Sequence, residues 1–187
     1  MKNFLKKNYG NLLILVFLAL LIIPQTGTPI KVFFNRIISF SPGILSEEDQ
    51  TTLQDYNWVI KDLDGGLINL DRSREKVLII NFWATWCPPC IAEMPAMQKL
   101  YADYGDKVDF YFISSEDAEV IGRFLEARGF NLPVYRQISA TPDLLSHRSL
   151  PTTFLIDREG KIIIRKKGAA NWNSVSTREL LDQLIEP

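Results

Sequence analysis

Two cysteines, the only two in the chain, stand at Cys87 and Cys90 with Pro88 and Pro89 between them. At this spacing two sulfurs can open and close a disulfide within one helical turn, so dithiol exchange is the chemistry that the pair supports best. A structural staple is the plainer alternative, but closing so short a loop would stabilise a fold by only about 2 kcal/mol. Zinc is a third alternative. A tetrahedral site wants four nitrogen or sulfur ligands, and the chain offers these two cysteines and a single histidine, His147.

The flanking residues give the two sulfurs different roles. Val77 to Trp83 is a short apolar, β-branched and aromatic run of the kind that fills a buried strand. From Ile91 to Tyr101 apolar residues recur every three or four positions, and prolines at 88 and 89 are tolerated in a first helical turn. Cys87 therefore sits at a helix N-terminus, where free N–H groups and the helix dipole favour a thiolate and lower its pKa below the free value of about 8.5. Cys87 is the expected attacking sulfur. Cys90, one turn in and on the buried side, is the expected resolving one.

The chain has 187 residues, 47% of them hydrophobic, which is enough for one core, and it shows no repeat or low-complexity tract. Residues 1–36 carry Lys2, Lys6, Lys7, Lys31 and Arg36 with no acid, leaving 16 basic against 22 acidic residues beyond. That balance provides no phosphate-binding stripe, so nucleic acid is not an expected partner. No flavin or nicotinamide fingerprint occurs and no cofactor is expected, so electrons must come from a separate thiol carrier in the membrane.

Leu12 to Ile23 is an unbroken apolar run of twelve behind three lysines, within 21 uncharged residues from Tyr9 to Pro29. A run of that length is typical of a signal peptide. Pro24-Gln25-Thr26-Gly27, however, lacks a small-residue cleavage site, and a further amphipathic stretch, Ile30 to Phe40, follows. We therefore expect a retained single-pass anchor over 1–30. The positive-inside rule then places the remainder outside the cytoplasm, where disulfides persist and an exposed dithiol is at home. Residues 31–55, with Ser39, Ser41, Pro42, Gly43 and the acidic Glu47-Glu48-Asp49, suggest a disordered spacer.

Residues 56–187 form the expected domain. Its order is a hairpin of 58–63 and 67–70, strand 77–83, helix 88–104, strand 108–114, helix 117–128 and a short strand at 132–135. A helical piece at 143–147, a hairpin of 153–157 and 162–165, and a final helix over 175–185 complete it. Alternating strands and helices predict an α/β fold, a mixed central sheet with helices on both faces.

The segment Asn81-Phe82-Trp83-Ala84-Thr85-Trp86-Cys87-Pro88-Pro89-Cys90, with Leu150-Pro151-Thr152-Thr153-Phe154-Leu155-Ile156-Asp157 and Gly160-Lys161, resembles the thioredoxin superfamily over residues 57–187. Glu93-Met94-Pro95 after the second cysteine, the segment 115–150 and the N-terminal anchor resemble its TlpA/ResA-like thiol-disulfide oxidoreductases. That resemblance implies a thioredoxin-like fold, a cis Pro151 facing the cysteine pair, and substrate contacts from Leu150 and the Pro88-Pro89 turn. It further implies that the protein reduces disulfides in exported partner proteins, including apocytochrome c before haem attachment. The reverse reaction, disulfide donation or isomerisation, is an alternative, as is a non-catalytic binding module. A thiol peroxidase fits less well, since its threonine precedes the reactive cysteine by three residues and Thr85 precedes Cys87 by two.

In classical thioredoxins a buried acid manages the proton of the second cysteine, and that position falls here on Asn81, which cannot titrate. Glu93, three residues after Cys90, takes the role by resemblance to the ResA-like branch, and burial would raise its pKa toward neutrality. The bland alternative is an ordinary solvated helix residue. Trp86 abuts Cys87 and is expected to shield it and offer partners an apolar contact, whereas Trp83 belongs to the core. His147 falls in a polar loop and is expected at the surface. Trp172 is expected to be a packing anchor, and Arg165-Lys166-Lys167 a solvated strand end.

Overall fold

The computed structural model describes residues 9–15, 18, 23, 28, 31–32 and 40–186. Most of the expected anchor lies outside the described residues. Residues 9–15 are helical, and among the described residues no helix is long and apolar enough to cross a membrane.

Seven strands form one sheet: β1 (Val59–Asp62), β2 (Leu67–Asn69), β3 (Val77–Phe82), β4 (Val108–Ser114), β5 (Val134–Gln137), β6 (Thr152–Ile156) and β7 (Ile162–Lys167), in the spatial order β2-β1-β5-β4-β3-β6-β7. β3, β4 and β5 run parallel, and the remaining pairings are antiparallel. β3 lies inside the sheet, between β4 and β6, and all six of its residues are buried. Its Asn81 faces Phe112 on β4 and Thr153 on β6, so the carboxyl ends of β3 and β4 and the start of β6 share one end of the sheet.

Among the described residues from 40 onward there are three α-helices: α1 (Pro88–Tyr104), α2 (Ala118–Arg128) and α3 (Val175–Ile185). All three feed one core cluster, through Met94, Met97 and Leu100 of α1, Ile121 and Leu125 of α2, and Leu181 of α3. The expectation of helices on both faces is thus corrected. α1 and α2 connect strands that step in the same direction along the sheet, and right-handed crossovers of that kind land on the same face. The other core cluster takes Leu78, Ile80 and Phe82 of β3 and is closed by Leu53, Tyr56, Trp58, Leu70 and Leu145.

Residues 40–56 are therefore no disordered spacer. Leu45 N–H donates to the Ile163 carbonyl at 2.9 Å, Ile162 N–H to Thr51 at 2.8 Å, and Leu53 N–H to Gly160 at 2.7 Å. This strap runs along β7, the outer strand of the sheet, and covers an edge that would otherwise offer unpaired backbone groups. Its composition is polar, but Leu53 and Tyr56 are each only 3% exposed and tie it to the core. β5 begins two residues later than the sequence indicates, because three of its four positions are half-buried and carry no clear alternation.

Candidate active site

Cys87 is the N-cap of α1, and the turn before it is closed by a hydrogen bond from Cys87 N–H to the Ala84 carbonyl at 3.2 Å. The two sulfurs are joined in a disulfide. Cys87 Sγ also accepts the Cys90 N–H at 3.3 Å. Pro88 and Pro89 occupy the positions between, and neither has an N–H to donate. Cys87 is 3% exposed and Cys90 1%, so the expectation of an exposed dithiol is corrected: in the disulfide form both sulfurs are covered.

Cys87 is approached through a cavity of about 610 Å³ that is also lined by Trp86, Pro88, Pro89, Leu150, Glu116 and His147. Trp86 is 70% exposed and lines this cavity together with Cys87. The Leu150–Pro151 peptide is cis. Pro151 is buried and its carbonyl accepts the Gly168 N–H at 2.8 Å, while Leu150 before it faces the cavity.

His147 is placed where the sequence did not put it. Its ring stacks on Phe82 with centroids 3.8 Å apart, it lines the cavity shared with Cys87, and its Nδ1 is buried without a hydrogen-bond partner. Burial lowers its pKa, an effect that the Leu145 backbone partly offsets, so the imidazole is neutral at pH 7.

Glu93 lies on the buried side of α1, 3% exposed. Its Oε1 accepts from Asn81 Nδ2 at 2.8 Å, and its Oε2 accepts from Ala170 N–H at 3.1 Å and Trp172 Nε1 at 3.2 Å. Asn81 also donates to Thr153 Oγ1 at 2.7 Å. Burial raises the Glu93 pKa from 4.5 to about 8, against the opposing pull of the Ala170, Asn81 and Trp172 donors. The solvated-residue alternative for Glu93 fails. Trp172, expected only to pack, is completely buried and also holds this carboxyl group through its indole N–H. Asn81, which cannot titrate, instead grips the residue that can. Near neutral pH Glu93 is available in both protonation states, which suits a group that takes and returns a proton.

A second carboxylate reaches the site from the loop after β4. Glu116 accepts Thr85 N–H at 2.7 Å and Thr85 Oγ1–H at 2.6 Å, one on each oxygen. Sequence reasoning passed over Glu116 and considered Thr85 only for peroxide chemistry. A signal was present: β3 and β4 are parallel neighbours, so the loops leaving their carboxyl ends must meet.

The AhpC/TSA family pattern matches residues 50–165, which include the cysteine pair, Glu93, Glu116 and Pro151. The chain belongs to the AhpC/TSA family. Within this thioredoxin-like family it is similar to the thiol-disulfide oxidoreductase ResA of Halalkalibacterium halodurans, 33% identical over 136 residues that cover 71% of this chain and 72% of the relative. ResA of Bacillus cereus is 32% identical over 152 residues, covering 77% and 83% respectively. Among solved structures, StoA from Bacillus subtilis superposes with a TM-score of 0.52 at 25% identity, over 69% of this chain and 96% of that one. A thiol:disulfide interchange protein from Chlorobium tepidum shares the fold, with a TM-score of 0.58 at 23% identity over 73% of this chain and 98% of that one. This AhpC/TSA member is accordingly a thiol-disulfide oxidoreductase of the ResA type.

Proposed function

We propose that the protein is an exported, membrane-tethered reductase of disulfides in partner proteins, with Cys87 as the attacking sulfur and Cys90 as the resolving one. The direction of electron flow rests on one observation. Pro88 and Pro89 remove two backbone donors from the start of α1, and the Cys90 N–H is the contact Cys87 Sγ keeps, at 3.3 Å. A thiolate with few donors is weakly stabilised, so the reduced pair gives up its electrons readily.

In the forward reaction the Cys87 thiolate attacks one sulfur of a substrate disulfide, and the other substrate sulfur leaves as a thiolate that takes a proton from water. Cys90 passes its own proton to the Glu93 carboxylate and attacks Cys87 Sγ, releasing the second substrate thiolate. Two electrons pass to the substrate and the protein is left with the Cys87–Cys90 disulfide. A membrane thiol carrier then reduces it, since the chain has no cofactor fingerprint of its own.

That the cavity is lined by exposed Trp86, the Pro88-Pro89 turn and Leu150, which precedes buried Pro151, supports the reading that an extended substrate strand lies there. The lysines ahead of an uncharged apolar stretch support an anchor over residues 1–30 with the domain on the extracytoplasmic side, where disulfide-bearing partners such as apocytochrome c would be met. The test pairs two measurements. A reduction potential below about −220 mV in glutathione and dithiothreitol buffers supports the reductase, and one near −120 mV favours a disulfide donor. Cys90→Ser should accumulate mixed disulfides through Cys87, and a variant that traps none would point to a binding module.

A further inference from the structure

Glu116 is used by no step above, although its carboxylate lies against the turn that carries Cys87. One oxygen takes the Thr85 N–H at 2.7 Å and Ser114 Oγ–H at 3.3 Å, and the other takes the Thr85 hydroxyl at 2.6 Å. Thr85 and Trp86 form the turn between the Ala84 carbonyl and the Cys87 N–H. Two donors of a single residue are thus tied to one carboxylate, and the turn that sets the direction of Trp86 and the entry of Cys87 into α1 is held from the neighbouring strand's loop.

The charge matters as well as the grip. Arg136 hydrogen-bonds through Nε to the Glu116 backbone carbonyl at 3.0 Å and through Nη2 to Asp117 at 2.9 Å. Glu116 and Cys87 line the same cavity, with His147 and Arg148 as the other titratable groups on its wall. A negative charge there disfavours a thiolate on Cys87.

We propose that Glu116 is a positioning residue that clamps the Thr85-Trp86 turn and also opposes ionisation of Cys87, making the dithiol a stronger reductant than its helix N-terminus alone would. This rests on Cys87 as the attacking sulfur. The two effects separate by mutation in the full-length chain, with thiolate absorbance against pH reporting the Cys87 pKa and glutathione buffers reporting the redox equilibrium.

Glu116→Gln should lower the Cys87 pKa by about half a unit and shift the equilibrium about threefold toward the reduced protein, and Glu116→Asp should restore both. Thr85→Ala keeps the charge and loosens the turn. It should reduce kcat/KM while leaving the Cys87 pKa unchanged or higher. Ser115→Lys places a cation on the exposed neighbouring position and should lower the Cys87 pKa even if Glu116→Gln does not fold. A Cys87 pKa unmoved in both Glu116→Gln and Ser115→Lys, or lowered equally by Thr85→Ala, overturns the proposal and leaves Glu116 a structural tie. Loss of exchange through Cys87 in the unmutated chain would instead overturn the assignment of the nucleophile.

Discussion

Glu93 shows how one residue's environment decides its chemistry. Three donors surround its carboxyl oxygens and favour the charged form, yet burial outweighs them and raises the pKa from 4.5 to about 8. A folded-state pKa raised above the unfolded one means that the native protein holds the extra proton. The stabilisation is full below about pH 4.5 and is lost as the pH rises through about 8. Glu93→Gln removes that dependence, so its melting temperature should exceed that of the unmutated protein by more at pH 9 than at pH 6, a gap worth a few kcal/mol at most. The same variant should slow disulfide exchange about tenfold to a hundredfold and abolish a pH-rate inflection near 8. An unchanged inflection would assign it to another group. Glu93 itself was legible from its place three residues after Cys90, with the family resemblance. Its partners were not, because Ala170 and Trp172 lie 77 and 79 positions away and only the folded sheet brings them to it. His147 was misplaced for the same reason: a polar loop sequence does not reveal that the ring will stack on Phe82.

Among the elements, those with strong local patterns were readable and those set by pairing were not. β3 is fully buried and wholly apolar except for Asn81, and α1 and α3 begin and end where their caps and periodicity place them. Which face a helix packs on depends on the order of strands, a non-local fact, and the one-sided placement of α1 and α2 was missed accordingly. The strap was missed because Ser, Pro, Gly and three acids mask the few apolar residues that dock it. Its fit to the sheet turns on Gly160, whose φ is +82° and where a Cβ would lie 2.8 Å from the Leu53 carbonyl oxygen and 2.9 Å from the Tyr56 hydroxyl. Gly160→Ala combines backbone strain with a clash against main chain, and should cost about 1–3 kcal/mol for the backbone alone, visible in urea unfolding. A loss within a few tenths of a kcal/mol would mean that the strap yields without consequence.

For the molecule as a whole, the strap decides where the folded unit begins. The sequence places that boundary at residue 56, but the backbone is tied to β7 from Leu45 onward, and the Phe40 carbonyl accepts the Asn171 N–H at 3.0 Å. Asn171 lies between Ala170 and Trp172, the two residues that hold Glu93 Oε2. The chain leading from the proposed anchor therefore reaches the domain beside the loop that grips Glu93. Two fragments separate these boundaries. Residues 40–187 keep the strap, its hydrogen bonds and buried Leu53, and should unfold cooperatively. Residues 56–187 lose a buried leucine, for which comparable deletions cost about 2–5 kcal/mol, and expose the β7 edge. The shorter fragment should melt at least several degrees lower and associate as its concentration rises. Equal melting temperatures would return the strap to the role of a spacer. If the strap also steadies the 168–173 loop, the shorter fragment should in addition shift the pH-rate inflection assigned to Glu93, because loosening the Ala170 and Trp172 donors removes two contacts that favour its charged form.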